Sequence, residues 1–144
     1  MPAKDISNII NFGLVVLTWM VQLVVYPSFL YYSENDLQKW HQVYTSAISY
    51  VVIPLMFAQL FTTGYLVFHQ AGILNLIIFG LVVLVWIVTF ALAVPAHNKI
   101  ASGTDVYTEA ANLVRINWYR TVIWSVIFLL GLLVKYKSDG LSVE

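Results

Sequence analysis

The sequence predicts an all-α integral membrane protein, a four-helix bundle that crosses the bilayer up-down-up-down as one domain over residues 1–144. Three observations carry that expectation. Of the 144 residues, 60% are hydrophobic and only 10% are Asp, Glu, Lys or Arg, against about 25% charged in an average soluble domain. A chain so poor in charge could not cover its own surface in water. Two long stretches, Ile6 to Ser33 and Trp40 to Asn98, carry no formal charge at all. Their apolar residues run continuously rather than alternating, which excludes a transmembrane β-barrel.

A helix needs about 20 residues to cross a hydrocarbon core of about 30 Å. The first uncharged stretch supplies one span, at 7–30. It continues past Gly13 to Leu30 without the small-residue cleavage site of a signal peptide, so it reads as retained. The second stretch is long enough for two spans, 44–68 and 73–96, broken at His69-Gln70-Ala71-Gly72, a polar turn with a glycine. The fourth span is 113–135. Its uncharged part, Thr121 to Val134, covers only about 21 Å at about 1.5 Å per residue, so a full crossing must take in Arg120 and reach towards Arg115. Between spans one and two, Ser33 is a candidate N-cap for a helix that begins in the Glu34-Asn35-Asp36 segment. Between spans three and four, Ser102-Gly103-Thr104-Asp105 is a turn signal, with the next helix starting within 104–109. The tail from Lys135 is short, polar and expected to fray. No lipidation motif is visible.

Composition removes several function classes. Seven basic and seven acidic residues leave no net charge, so no nucleic-acid partner is expected. The absence of cysteine removes disulfides, thiolate metal sites, iron–sulfur clusters and thiol catalysis. No carboxylate lies in the middle of a span, which argues against an autonomous proton-driven pump. Basic residues divide almost evenly between the two faces, Lys4, Lys135 and Lys137 against Lys39, Lys99 and Arg115. If both arginines, Arg115 and Arg120, are committed to a buried site, the count tips towards cytoplasmic termini in a bacterial inner membrane.

The span ends hold the unusual residues. Tyr26-Pro27 closes span one, and Trp40-His41-Gln42 with Tyr44 opens span two. Pro95-Ala96-His97-Asn98 closes span three, and Arg115 to Arg120, with Asn117 and Trp118, opens span four. Four antiparallel spans bring all of these to one side of the membrane, where costly polar side chains usually face the bundle interior or a wet cavity. Helical spacing points Trp19, Gln22 and Tyr26 inward from span one. It does the same for Trp86, Phe90, Ala93 and His97 from span three, and for Asn117, Arg120 or Thr121, Trp124 and Gly131 from span four. The candidate catalytic residues are Arg120, His97 and His41; the candidate ligand contacts are Tyr26, Tyr44, Asn98, Asn117 and Trp118. His41 and His97 are also candidate metal ligands, since imidazole suits copper, iron or zinc, with a third ligand from Glu34, Asp36, Asp105 or Glu109. No spacing motif fixes the metal. The competing reading makes the Trp and Tyr residues interfacial anchors and the histidines interfacial hydrogen-bonders. Arg120 stands apart, because a guanidinium at that depth needs a partner or a snorkelling path.

The stretch Val94-Pro95-Ala96-His97-Asn98-Lys99-Ile100, followed by Leu113-Val114-Arg115-Ile116-Asn117-Trp118-Tyr119-Arg120-Thr121, resembles the anthrone-oxygenase-like family of small four-span membrane proteins. Pro95, Asn98, Asn117, Trp118 and Arg120 match its pattern; Trp118-Tyr119 stand where the family usually carries a histidine before the arginine. The resemblance covers residues 94–124 and the span layout. It implies oxidation of an apolar aromatic substrate in the membrane. Two functions compete. One is an oxidoreductase or oxygenase acting on a lipid-soluble small molecule in a polar, aromatic pocket at one membrane face. The other is a non-enzymatic accessory or assembly subunit, docked on a protein partner or on its own copies.

Overall fold

The computed structural model describes residues 3–140, with side chains through residue 137; the last residues of the tail lie outside the described residues. Four long helices make the chain: α1 (Ala3–Tyr31), α2 (Glu34–His69), α3 (Ile73–Ser102) and α4 (Val106–Gly140). All four are long and apolar enough to cross a membrane. Each packs on its sequence neighbours, and α4 closes the ring on α1. The architecture is therefore the expected up-down-up-down bundle. Every helix overruns its expected span, since hydropathy marks only the hydrocarbon-depth portion and the helices continue to their capping residues. Leu23, Val24, Phe61, Ile87, Val122 and Leu129 are more than half exposed, so lipid takes the place of a protein partner on the outer faces.

The connections are built as their sequences require. Ser33 is extended, at φ −62° and ψ 156°, and its hydroxyl accepts from the Asp36 amide at 3.3 Å, capping α2. Gly103 adopts φ +76° at the end of α3 and Asp105 φ +49° before α4. Gly103 is fixed by this conformation, which costs a residue with a Cβ about 1–2 kcal/mol.

Two helices contain a π-turn, Val21–Val25 in α1 and Thr89–Ala93 in α3. In each the residue after the turn reaches five positions back: the Tyr26 amide donates to the Val21 carbonyl and the Val94 amide to that of Thr89. A proline comes next each time, Pro27 and Pro95. Proline has no N–H to donate and its ring clashes with the carbonyl four residues back; a wider turn relieves both problems. So the prolines do not end the helices. The extra residue also rotates the remainder of the helix by about 100°. For that reason Trp19 does not share the face of Tyr26, contrary to the spacing argument. Trp19 is 37% exposed, packs edge-on to Trp118 at 5.7 Å and donates to Ser125 at 3.1 Å, whereas Gln22 and Tyr26 are buried. Phe90, expected inward, is 58% exposed for a similar reason, since it lies inside the second π-turn.

The interior divides into two apolar cores. One, around Phe29, Leu37, Ala96, Ile100 and Leu113, lies at the loop-side end. The other, around Leu14, Met56, Val82, Val85, Trp124 and Ile127, fills the half nearer the termini. A polar seam threads both. Ser7, Asn11, Thr18 and Gln22 of α1 are all buried. The Trp124 indole donates to Gln59 Oε1 at 3.1 Å, and Gln59 Nε2 donates to Asn11 Oδ1 at 2.8 Å. Because an indole N–H can only donate, this chain fixes the orientation of both amides. Thr18 pairs with Thr121 at 3.0 Å, and Asn117 donates to Gln22 Oε1 at 3.0 Å. Interhelical hydrogen bonds of this kind average about 0.6 kcal/mol in a membrane. At Gly131, α1 comes so close that a Cβ would collide with Asn8 Oδ1.

The topology makes a direct prediction. The chain is free of cysteine, so single cysteines can be placed at Lys4, Lys137, Asp36 and Thr104. A membrane-impermeant maleimide should label the first two from one side of sealed vesicles and the last two from the other. Labelling of positions 4 and 104 from the same side would contradict the four-span path.

Candidate functional site

Between α2 and α3, where the two apolar cores meet, the bundle holds a cavity of about 310 Å³. That is the low end of the range of about 300–1,000 Å³ for small-molecule sites. Its polar lining comes from all four helices: Tyr26, Tyr44, His97, Asn98, Asn117 and Arg120. The opposite wall is apolar, with Ile48, Val52, Met56 and Ala93, and Trp124 forms part of the floor. Lining residues Ile53, Phe90 and Val94 are 48%, 58% and 36% exposed. The rim between α2 and α3 is therefore apolar and faces the membrane side, not the aqueous end.

Each polar residue arrives by a local device. The π-turn before Pro27 turns Tyr26 inward, where it is 2% exposed, and the π-turn before Pro95 sets the phase of His97. Tyr26 Oη lies 3.0 Å from His97 Nε2, and His97 Nδ1 lies 2.7 Å from His41 Nε2. The two imidazole rings are 5.0 Å apart between centroids. Tyr44 meets Tyr26 edge-on at 6.3 Å. Phe29 packs edge-on against His41 at 6.0 Å and Tyr44 at 5.5 Å, so the hydrogen-bonded row is walled by aromatic rings. Such a wall excludes water and strengthens every polar interaction inside it.

Arg120 is 8% exposed, with its guanidinium carbon 5.0 Å from the Trp124 ring centre. Its charge acts on Tyr26, Tyr44 and His97. Among the described residues no carboxylate forms an ion pair with it. Glu109 bonds Lys99 at 2.7 Å and accepts from Asn112 at 3.2 Å. Arg120 Nε is buried without a hydrogen-bond partner. Arg120 thus brings a cation to an enclosed space whose lining holds no carboxylate.

The candidate residues separate into two groups. Tyr26, Tyr44, His97, Asn117 and Arg120 converge on the cavity, Asn98 stands at its exposed edge, and His41 backs His97 without lining the cavity. Trp118 does not belong: it is 43% exposed on the lipid side of α4, against Trp19. The helical phase accounts for this, because Asn117 and Arg120 lie inward and the residue after Asn117 points about 100° away.

The metal reading meets a geometric obstacle. The facing nitrogens of His41 and His97 stand at hydrogen-bond distance, 2.7 Å. A metal bound to both at about 2.0–2.1 Å in a tetrahedral arrangement would hold them wider apart. Among the described residues no group of three His, Cys, Asp or Glu converges on a point, and Asp36 is bonded to Ser33 at 2.6 Å.

Sequence reasoning also missed residues. Thr18, Thr45, Ser49 and Thr89 add hydroxyls to the cavity wall, and their signal was their place among apolar neighbours. The end of the bundle near the termini also buries Ser7, Asn11, Thr63 and Asn75. No protein-family model matches the chain, and no curated protein or solved structure is detectably similar to it.

Proposed function

We propose that this chain is a membrane-embedded binding and proton-transfer protein for a lipid-soluble aromatic molecule carrying a hydroxyl or carbonyl oxygen. One observation carries the reading: Arg120, buried and without a carboxylate, faces an apolar cavity that also presents Tyr26, Tyr44 and His97. A ligand oxygen placed there would receive charge-assisted hydrogen bonds from Arg120, and the ring system would rest against Val52, Met56 and Trp124. The exposed apolar rim supports entry from the bilayer. Next to a fixed cation, a weakly acidic O–H or activated C–H becomes easier to ionise, and a neutral imidazole is the base within reach.

The resemblance to anthrone-oxygenase-like proteins extends this to oxidation. With dioxygen as oxidant, an activated CH2 group of the ligand would become a carbonyl; one oxygen atom enters the product, and the other leaves as water with the two hydrogens. Arg120 would hold the anion that forms when the first proton leaves. We place the chain in a bacterial inner membrane; with Arg120 taken up by the cavity, three basic residues lie at each end, Lys4, Lys135 and Lys137 against Lys39, Lys99 and Arg115.

The test uses 2-naphthol and the protein in lipid nanodiscs, measured by equilibrium dialysis against empty nanodiscs. Wild type should bind saturably. Ala93→Phe places a ring in the cavity and should abolish that binding, while Trp118→Phe, on the lipid face, should leave it unchanged. Equal binding by wild type and Ala93→Phe would refute the cavity as the site.

A further inference from the structure

We infer that Tyr26, His97 and His41 form a proton path from the cavity towards the loop-side end of the bundle, with His41 as its outer member. This rests on the cavity reading above and adds a direction and a residue to it. Tyr26 and His97 line the cavity; His41 does not. The links are short, 3.0 Å from Tyr26 Oη to His97 Nε2 and 2.7 Å from His97 Nδ1 to His41 Nε2. The row therefore starts inside the cavity and leaves it.

The hydrogen-bonding capacities set the polarity of the row. A guanidinium can only donate, so Arg120, whose charge acts on Tyr26, favours the arrangement in which the Tyr26 oxygen accepts and its proton points to His97 Nε2. A neutral imidazole has one N–H and one acceptor nitrogen. His97 then donates from Nδ1 to His41 Nε2, and His41 carries its own proton on Nδ1. That last atom is buried and has no hydrogen-bond partner, in a residue 1% exposed. A buried imidazole N–H without a partner costs about 1–3 kcal/mol. The row therefore ends beyond the cavity lining, on a nitrogen that the structure leaves unpaired.

The transfer balances. A ligand hydroxyl gives its proton to the Tyr26 oxygen as the Tyr26 proton passes to His97 Nε2. The His97 Nδ1 proton passes to His41 Nε2, and the His41 Nδ1 proton leaves to a water molecule that local opening of the loop-side end admits to this buried atom. The ligand becomes an anion beside Arg120, one proton has left, Tyr26 is restored, and both imidazoles have exchanged tautomers without acquiring charge. Reprotonation of the ligand runs the row backwards and resets it. Concerted transfer through neutral rings places no second positive charge beside the Arg120 guanidinium.

The experiment uses 2-naphthol as a photoacid in nanodiscs, because its excited state releases a proton only where an acceptor is ready and its anion emits at longer wavelength. Wild type should show naphtholate emission from the bound dye, weakened in D2O. His41→Phe should bind the dye as wild type does, by dialysis, and lose that emission. Binding with undiminished naphtholate emission in His41→Phe would overturn the path while leaving the cavity reading intact. Failure of wild type to bind the dye would overturn both. Should His41→Phe misfold, wild-type protein carrying 15N-histidine decides the matter. A scalar coupling across the His41–His97 hydrogen bond is expected, and its absence would overturn the path.

Discussion

Replacing Arg120 with leucine is expected to leave a protein that inserts and folds but releases its ligand. Leucine removes the insertion penalty of about 2.5–3.5 kcal/mol that a central arginine carries on translocon scales, so membrane yield should hold or rise. Hydrogen bonds to a charged group contribute about 1.5–3 kcal/mol, which corresponds to about 10–150-fold in affinity; dialysis with 2-naphthol should show a loss of that size. Arg120→Lys sharpens the test. It keeps the charge but replaces a planar fork with a point charge on a flexible stem, and Trp124 loses the flat cation stacked 5.0 Å from its ring centre. The affinity of Arg120→Lys should fall much as that of the leucine variant does. Full retention in Arg120→Lys would mean that only a positive charge at this depth matters, not the directed donors.

The largest expected loss of stability is at Trp124. Its side chain is fully buried in the core nearer the termini and donates to Gln59 Oε1 at 3.1 Å. Trp124→Ala removes the ring between that core and the cavity and leaves Gln59 without its donor. Large-to-small changes of this kind cost about 3–5 kcal/mol. Trp124→Phe keeps most of the ring and loses only the N–H, for which membrane hydrogen bonds suggest about 0.6 kcal/mol and at most about 1.7. Reversible unfolding in bicelles by steric trapping would measure both. A Trp124→Phe variant as unstable as Trp124→Ala would show that the Trp124–Gln59–Asn11 chain, not packing, holds this half together.

The fold was legible because membrane solvent imposes one rule on every span. Uncharged length counts the helices, and parity places their ends, which is how His41 and His97, on different helices, could be expected at the same end. Their hydrogen bond could not be read from parity, since it depends on side-chain reach across two helices. The inward faces of α1 and α3 were read less well. A uniform turn of 3.6 residues carried Trp19 onto the Tyr26 face and Phe90 into the bundle, but each proline is preceded by a π-turn that adds a residue. Pro27 and Pro95 signal a disturbed helix without saying whether it ends, kinks or widens. Arg120 was recognisable as a buried cation from span length alone. Its surroundings were not: the carboxylate nearest to it along α4, Glu109, is engaged by Lys99 of α3. The polar seam at Asn11, Gln59 and Thr63 was visible as isolated polar letters in apolar runs, and only packing shows that they meet.

The most direct test of the central claim is photo-crosslinking with a naphthol that carries a diazirine, followed by mass spectrometry of the labelled peptides. The cavity account predicts adducts on α2 between Ile48 and Met56 and on α3 between Phe90 and Val94, suppressed by excess 2-naphthol and lost in Ala93→Phe. Adducts confined to outward residues such as Phe61 and Leu129, unaffected by competitor, would place the molecule in the surrounding lipid and contradict a binding site inside the bundle.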